Sequence, residues 1–80
     1  MIPKKKAQEV LRALQEKKER DGLEWKPMAE EMGLTARTLQ HSMEWLREGC
    51  GEEYGHRPSR KTVKAILKWL RERGVFLGSA

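Results

Sequence analysis

The sequence predicts an all-α domain of four helices, on three observations. Apolar residues recur at i, i+3, i+4, i+7 in separate stretches, the mark of a helix with one buried face. Capping residues punctuate those stretches, with Pro, Thr or Ser at their starts and Gly at their ends. The one short hairpin signal, Asp21-Gly22, has no alternating strand before it. Eighty residues, 38% hydrophobic and 36% charged, leave room for a single small core under a highly solvated surface.

The first helix is expected from Lys4 to Arg20, behind Pro3, with Ala7, Val10, Leu11 and Leu14 as its apolar stripe. Gly22 is placed to take the left-handed conformation that ends it. Leu23-Glu24-Trp25 reads as a short extended link that drops Leu23 and Trp25 into the core. Lys26-Pro27 then opens a second helix of about two turns, too short to stand without tertiary packing. Met28, Ala29 and Met32 are its inner face.

Gly33-Leu34-Thr35 makes a turn, with Thr35 as N-cap of a third helix that fades near Glu48. Leu39, Met43 and Leu46 form the inner stripe of this helix, with Trp45 on its flank. Residues 49–57, with three glycines and two adjacent glutamates, read as a flexible loop. Ser59 caps a fourth helix that carries Val63, Ile66, Leu67 and Leu70 inward and ends at Gly74. Val75-Phe76-Leu77 is either an extended segment against the core or a short C-terminal edge strand, and Gly78-Ser79-Ala80 is expected to fray.

Charge is unevenly spread. The net charge is +5, but residues 1–20 carry net +4, residues 21–54 net −5 and residues 55–80 net +6. The basic ends attract a polyanion through counterion release. Cys50 stands alone, which excludes a disulfide or a cysteine-based zinc site within one chain. His41 and His56 are fifteen residues apart, so neither a metal site nor a catalytic pair is expected and no cofactor is implied. The N-terminus lacks the apolar stretch of a signal peptide, and no apolar run reaches membrane-spanning length. The expectation is a soluble, cytoplasmic, non-enzymatic protein, nucleoid-associated if bacterial, with no membrane partner.

Residues 28–46 carry a pattern of Ala29, Gly33, Leu34, Thr35 and Leu39: a small residue, Gly four positions on, an apolar residue, a polar cap and an apolar anchor. This resembles the helix-turn-helix DNA-binding family, with the unit at residues 27–48 of a single domain. Ser42 departs from it, standing where the family has a branched apolar residue, and Met43 is placed to fill that space. The resemblance implies sequence-specific binding of double-stranded DNA, with the third helix in the major groove. Thr35, Ala36, Arg37, Gln40, His41 and Glu44 would then face bases: Arg37 suits guanine, Gln40 adenine, Ala36 or a Thr methyl thymine, and Glu44 a cytosine amino group. Phosphates would fall to Lys4, Lys5, Lys6, Lys26, Thr38, Arg47, Arg57, Ser59, Arg60 and Lys61.

Residues 35–48 and 59–72 echo each other through Thr38/Thr62, Trp45/Trp69, Leu46/Leu70, Arg47/Arg71 and Glu48/Glu72. Helices 36–48 and 59–73 therefore compete for the reading role. Residues 58–76 are also similar to the recognition helix and following strand of winged-helix regulators, but residues 51–57 lack the Ala-x-x-x-Gly helix that precedes it there. Phosphate contact is the more economical role for that stretch. The rival from another class is a helical protein-interaction module that takes an acidic partner on residues 55–73, and a third option is single-stranded nucleic acid. The expected form is a monomer or weak homodimer: a designed or trimmed chain, or a small phage-like regulator.

Overall fold

A computed structural model describes residues 3–49 and 57–77 of the chain. The described residues form four α-helices and no strand: α1 (Lys4–Asp21), α2 (Trp25–Met32), α3 (Ala36–Arg47) and α4 (Arg60–Glu72). Most of the expected loop, with Cys50 and His56, and the chain end at 78–80 lie outside the described residues.

Local chemistry sets the boundaries. The Pro3 carbonyl accepts the first helical bond of α1, from the Ala7 N–H at 3.1 Å, and Gly22 ends the helix in the left-handed conformation. The α2 helix starts at Trp25, two residues before the expected Pro27. Pro27 still fits, because the first N–H groups of a helix have no intrahelical acceptor and a missing one costs nothing. Trp25 is therefore helical instead of part of an extended link; its ring is half-buried against the core beneath the Lys18 ammonium, 4.9 Å from the ring centroid.

The turn between α2 and α3 is a Schellman motif. Gly33, at φ +75, gives its N–H to Glu30 at 3.1 Å, and Leu34 gives its N–H to Ala29 at 2.8 Å. Thr35 then caps α3, its hydroxyl oxygen accepting from the Thr38 N–H at 3.1 Å.

The four inner faces share one core: Val10, Leu11 and Leu14 of α1, Met28 and Ala29 of α2, Leu39, Met43 and Trp45 of α3, and Val63, Ile66, Trp69 and Leu70 of α4. The α3 face differs from its expected stripe, since Trp45 is fully buried while Leu46 is only half-buried. The reason is that α3 packs on two helices, α1 and α2, which widens its buried arc past a single apolar ridge. The Trp45 indole N–H lies in that core with no hydrogen-bond partner among the described residues. Ser42 is buried too, and its hydroxyl donates to the Thr38 carbonyl at 3.0 Å. That bond is what lets a polar residue replace a branched apolar one here.

Of the two expectations for residues 75–77, the segment against the core is the one seen, and no strand forms among the described residues. Val75 and Leu77 pack half-buried on the core, Phe76 points outward, and no other described segment is extended beside them. The N–H of Val75 is instead turned back to the Leu70 carbonyl at 2.9 Å.

Helix α1 packs on α3 and α4, and α2 also packs on α3 and α4, whereas α3 and α4 do not pack on each other. The bundle is thus a ring with α3 and α4 at opposite corners. A polar cluster ties α2 to the end of α4. Trp69 donates its indole N–H to Glu31 at 2.8 Å, Arg73 pairs with the same carboxylate oxygen, and the Arg73 guanidinium lies over the Trp69 ring at 4.0 Å.

Two substitutions test this account by urea denaturation. Gly33→Ala is expected to lower stability by about 1–2 kcal/mol, the cost of a left-handed residue with a β-carbon. Glu31→Ala is expected to cost about 1–2 kcal/mol, and Glu31→Gln clearly less, because the amide oxygen still accepts from Trp69. Equal losses for the two Glu31 variants would show that the Trp69 bond contributes nothing.

Candidate nucleic-acid interface

The site begins with two matched helix starts. At α3, the Thr35 and Thr38 hydroxyls lie 2.9 Å apart above the cap bond. At α4, Ser59 caps through the Thr62 N–H at 3.2 Å, with the Ser59 and Thr62 hydroxyls 3.1 Å apart. At Thr38/Thr62 the sequence echo is therefore an echo of capping chemistry. In both, the cap hydroxyl is engaged with its own helix, so the Thr35 hydroxyl is committed before any ligand arrives.

The two helix starts meet across a polar cleft of about 160 Å³, lined by Thr38, His41 and Ser42 from α3 and by Arg57, Pro58, Ser59 and Thr62 from the α4 start. Four residues expected to contact DNA, namely Thr38, His41, Arg57 and Ser59, are thereby brought together although they lie up to 21 positions apart in the chain. Ser42 and Thr62 are buried, His41 and Arg57 half-buried, and Ser59 exposed. A second recess of about 150 Å³ gathers Gln40, Met43 and Arg47 with Gln15 and Trp25. Lys4, Lys5, Lys6, Lys26, Arg37, Glu44, Arg60 and Lys61 line neither recess.

Arg37, Gln40, Glu44 and Arg47 are all exposed and share the outer face of α3, while Ala36 is half-buried at its start. With Glu48 just past the helix, that face balances two cations against two carboxylates. It offers donors and acceptors without net attraction for phosphate. Lys4 and Lys5 are exposed at the start of α1, with Lys6 half-buried beside them, and Lys26 is exposed on α2.

The α4 helix is different. No acidic residue lies in its first turn, which instead carries Arg60 and Lys61 at the positive end of the helix dipole. Placing cations there costs the free protein about 0.3–1 kcal/mol each, a cost that a bound anion removes. The outer face continues with Lys64, Lys68 and Arg71, all exposed, and Glu72 is the helix's one acid. Residue-level expectation stopped at Lys61. The signal for the other three was present in the spacing, since residues 61, 64, 68 and 71 fall three or four apart and so on one face.

In comparison with known proteins, no family model matches this chain, and neither a curated protein nor a solved structure matches it. Among the described residues no group of His, Cys, Asp or Glu is placed to hold a metal ion, and no helix is long and apolar enough to cross a membrane.

Because the α4 start opposes its own dipole, Lys61→Glu is expected to raise the stability of the free protein by about 0.3–1 kcal/mol. Thermal melts at low salt check this. A destabilised variant would mean that Lys61 makes a contact that the helix needs.

Proposed function

We propose that the chain binds double-stranded DNA, with the first turns of α3 at the base edges and the start of α4 on the adjoining phosphates. The observation that carries this reading is the cleft, which joins Thr38 and His41 of α3 to Arg57 and Ser59 before α4. A groove-reading helix and a cationic helix start on one face match the division of work in DNA recognition, where phosphate contacts position and base contacts specify.

On this reading Arg37 and Gln40, exposed on α3, discriminate bases. Glu44 accepts from a cytosine amino group or clears the groove wall. Arg57, Ser59 and Arg60 hold one backbone, helped by the N–H groups of the α4 start. Lys4, Lys5 and Lys26 add long-range attraction. The neutral α3 face supplies little affinity of its own, so discrimination and grip reside on different helices. The same charge distribution also fits an acidic protein partner on α4, but that alternative leaves the turn pattern and the α3 face without a role.

Two measurements decide. Affinity for a random duplex should fall steeply as salt rises, as expected when several phosphates are neutralised; failure to bind any duplex at low salt favours the protein-partner reading. After selection of a preferred site from a randomised duplex library, Arg37→Ala should cost about 1–3 kcal/mol on that site and relax its sequence preference. Unchanged affinity and preference in Arg37→Ala would remove α3 from the reading role.

A further inference from the structure

We infer that the outer face of α4 is a second duplex-binding surface, so that one chain bridges two DNA segments. The inference rests on the double-stranded DNA reading above and adds a partner to a surface which that reading leaves empty. Beyond the helix start, Lys64, Lys68 and Arg71 continue a cationic stripe about 15 Å long from Lys61, with Glu72 as its one acid at the far end. None of the three makes an ion pair with a described residue.

The α1 helix shows what an ordinary solvated face looks like in this protein. Its exposed Lys5, Glu9, Arg12, Glu16 and Arg20 alternate in sign at four-residue and three-residue spacing, which stabilises a helix. On α4 the neighbours Arg60/Lys64, Lys61/Lys64, Lys64/Lys68 and Lys68/Arg71 are like pairs, destabilising at this spacing, and Lys68/Glu72 alone is of opposite sign. Solubility alone calls for evenly mixed signs, whereas a face of four cations and one acid builds a field that draws a polyanion.

Position separates this face from the α3 site. The α3 and α4 helices occupy opposite corners of the ring and approach only at their starts, across the cleft. A duplex seated on α3 reaches Arg57 and Ser59 there, but Lys64, Lys68 and Arg71 lie on the side of α4 opposite its buried Val63, Ile66 and Leu70, with the core between them and α3. Reaching them would require the same duplex to fold around a body 32 × 28 × 21 Å in extent, far below the persistence length of DNA, about 500 Å. A second, straight segment meets no such cost.

The test immobilises one duplex, adds the protein and measures capture of a second, fluorescent duplex, alongside single-duplex affinity by gel shift. Wild type should capture the second duplex at one chain per two duplexes, as determined by sedimentation. Lys64→Glu/Lys68→Glu should reduce capture about tenfold or more while leaving single-duplex affinity within about threefold. Its helix should stay folded by circular dichroism, since both positions are exposed.

Capture unchanged in the variant overturns the inference. So does wild type that shifts one duplex but captures no second, or a variant whose single-duplex affinity falls in step with capture. Two chains per pair of duplexes overturns it as well, because each copy would then hold one. Poly-glutamate that displaces the second duplex at a lower charge concentration than competitor DNA overturns it in favour of an acidic protein partner. Wild type that shifts no duplex at all overturns the underlying DNA reading, a result distinguishable from all of these.

Discussion

The backbone reversal between Ala29 and Thr35 is the constraint on which the arrangement of the outer faces depends. The bonds from Leu34 to Ala29 and from Gly33 to Glu30 stop α2 after about two turns, and the Thr35 cap starts α3 two residues later. An α2 one turn longer would carry Leu34 and Thr35 on as helix and remove the corner. Because the corner is sharp, α2 and α3 each reach α4 or α1 on their remaining sides, and the ring closes without direct packing of α3 on α4. The Glu31–Trp69–Arg73 cluster then holds the last turn of α2 on the end of α4. The opposite placement of the two echoing helices follows from these local bonds.

Equivalent local structure carries different electrical character. The starts of α3 and α4 use the same hydroxyl pair, at Thr35/Thr38 and Ser59/Thr62, and neither first turn contains an acid. Along their exposed faces α3, with Glu48 just past it, balances Arg37 and Arg47 against Glu44 and Glu48, while α4 gathers Arg60, Lys61, Lys64, Lys68 and Arg71 around Glu72. If both helices served only to close the core, nothing would require their solvent faces to differ in this way. The buried sides are alike, each carrying a Trp in the core, Trp45 and Trp69. The divergence is confined to the surface.

Much of the fold was legible because helices announce themselves through period and caps. The α1 stripe, the turn at Gly33 and the Thr35 and Ser59 caps could be read from a few neighbouring residues. What could not be read depends on partners distant in sequence. Trp45 is buried on a flank of α3 that the apolar stripe leaves open, in a core shared by all four helices, and the Trp69–Glu31 bond spans 38 positions. The start of α2 at Trp25 was hidden by Pro27, which marks a helix N-terminus without saying which of its first positions it fills. At the site, the Ser59 cap and its cations were legible, but the cleft was not, since it forms where two separate helix starts converge. Lys64, Lys68 and Arg71 show their common face in their spacing; that α3 lies across the core from α4 is a tertiary fact.

The neutrality of the α3 face is itself informative about how discrimination can work on the proposed reading. A recognition face dense in cations grips every sequence alike, since phosphate attraction carries no base information. Glu44 and Glu48 beside Arg37 and Gln40 remove that indiscriminate attraction. What remains on α3 are donors and acceptors whose desolvation is repaid only by the right base edge, the condition under which a mismatch is expensive. The cost is a weak encounter, and the cationic start of α4 offsets it from across the cleft without entering the groove. Carboxylates that look out of place in a DNA-reading helix are, on this argument, what keeps affinity and specificity on separate surfaces.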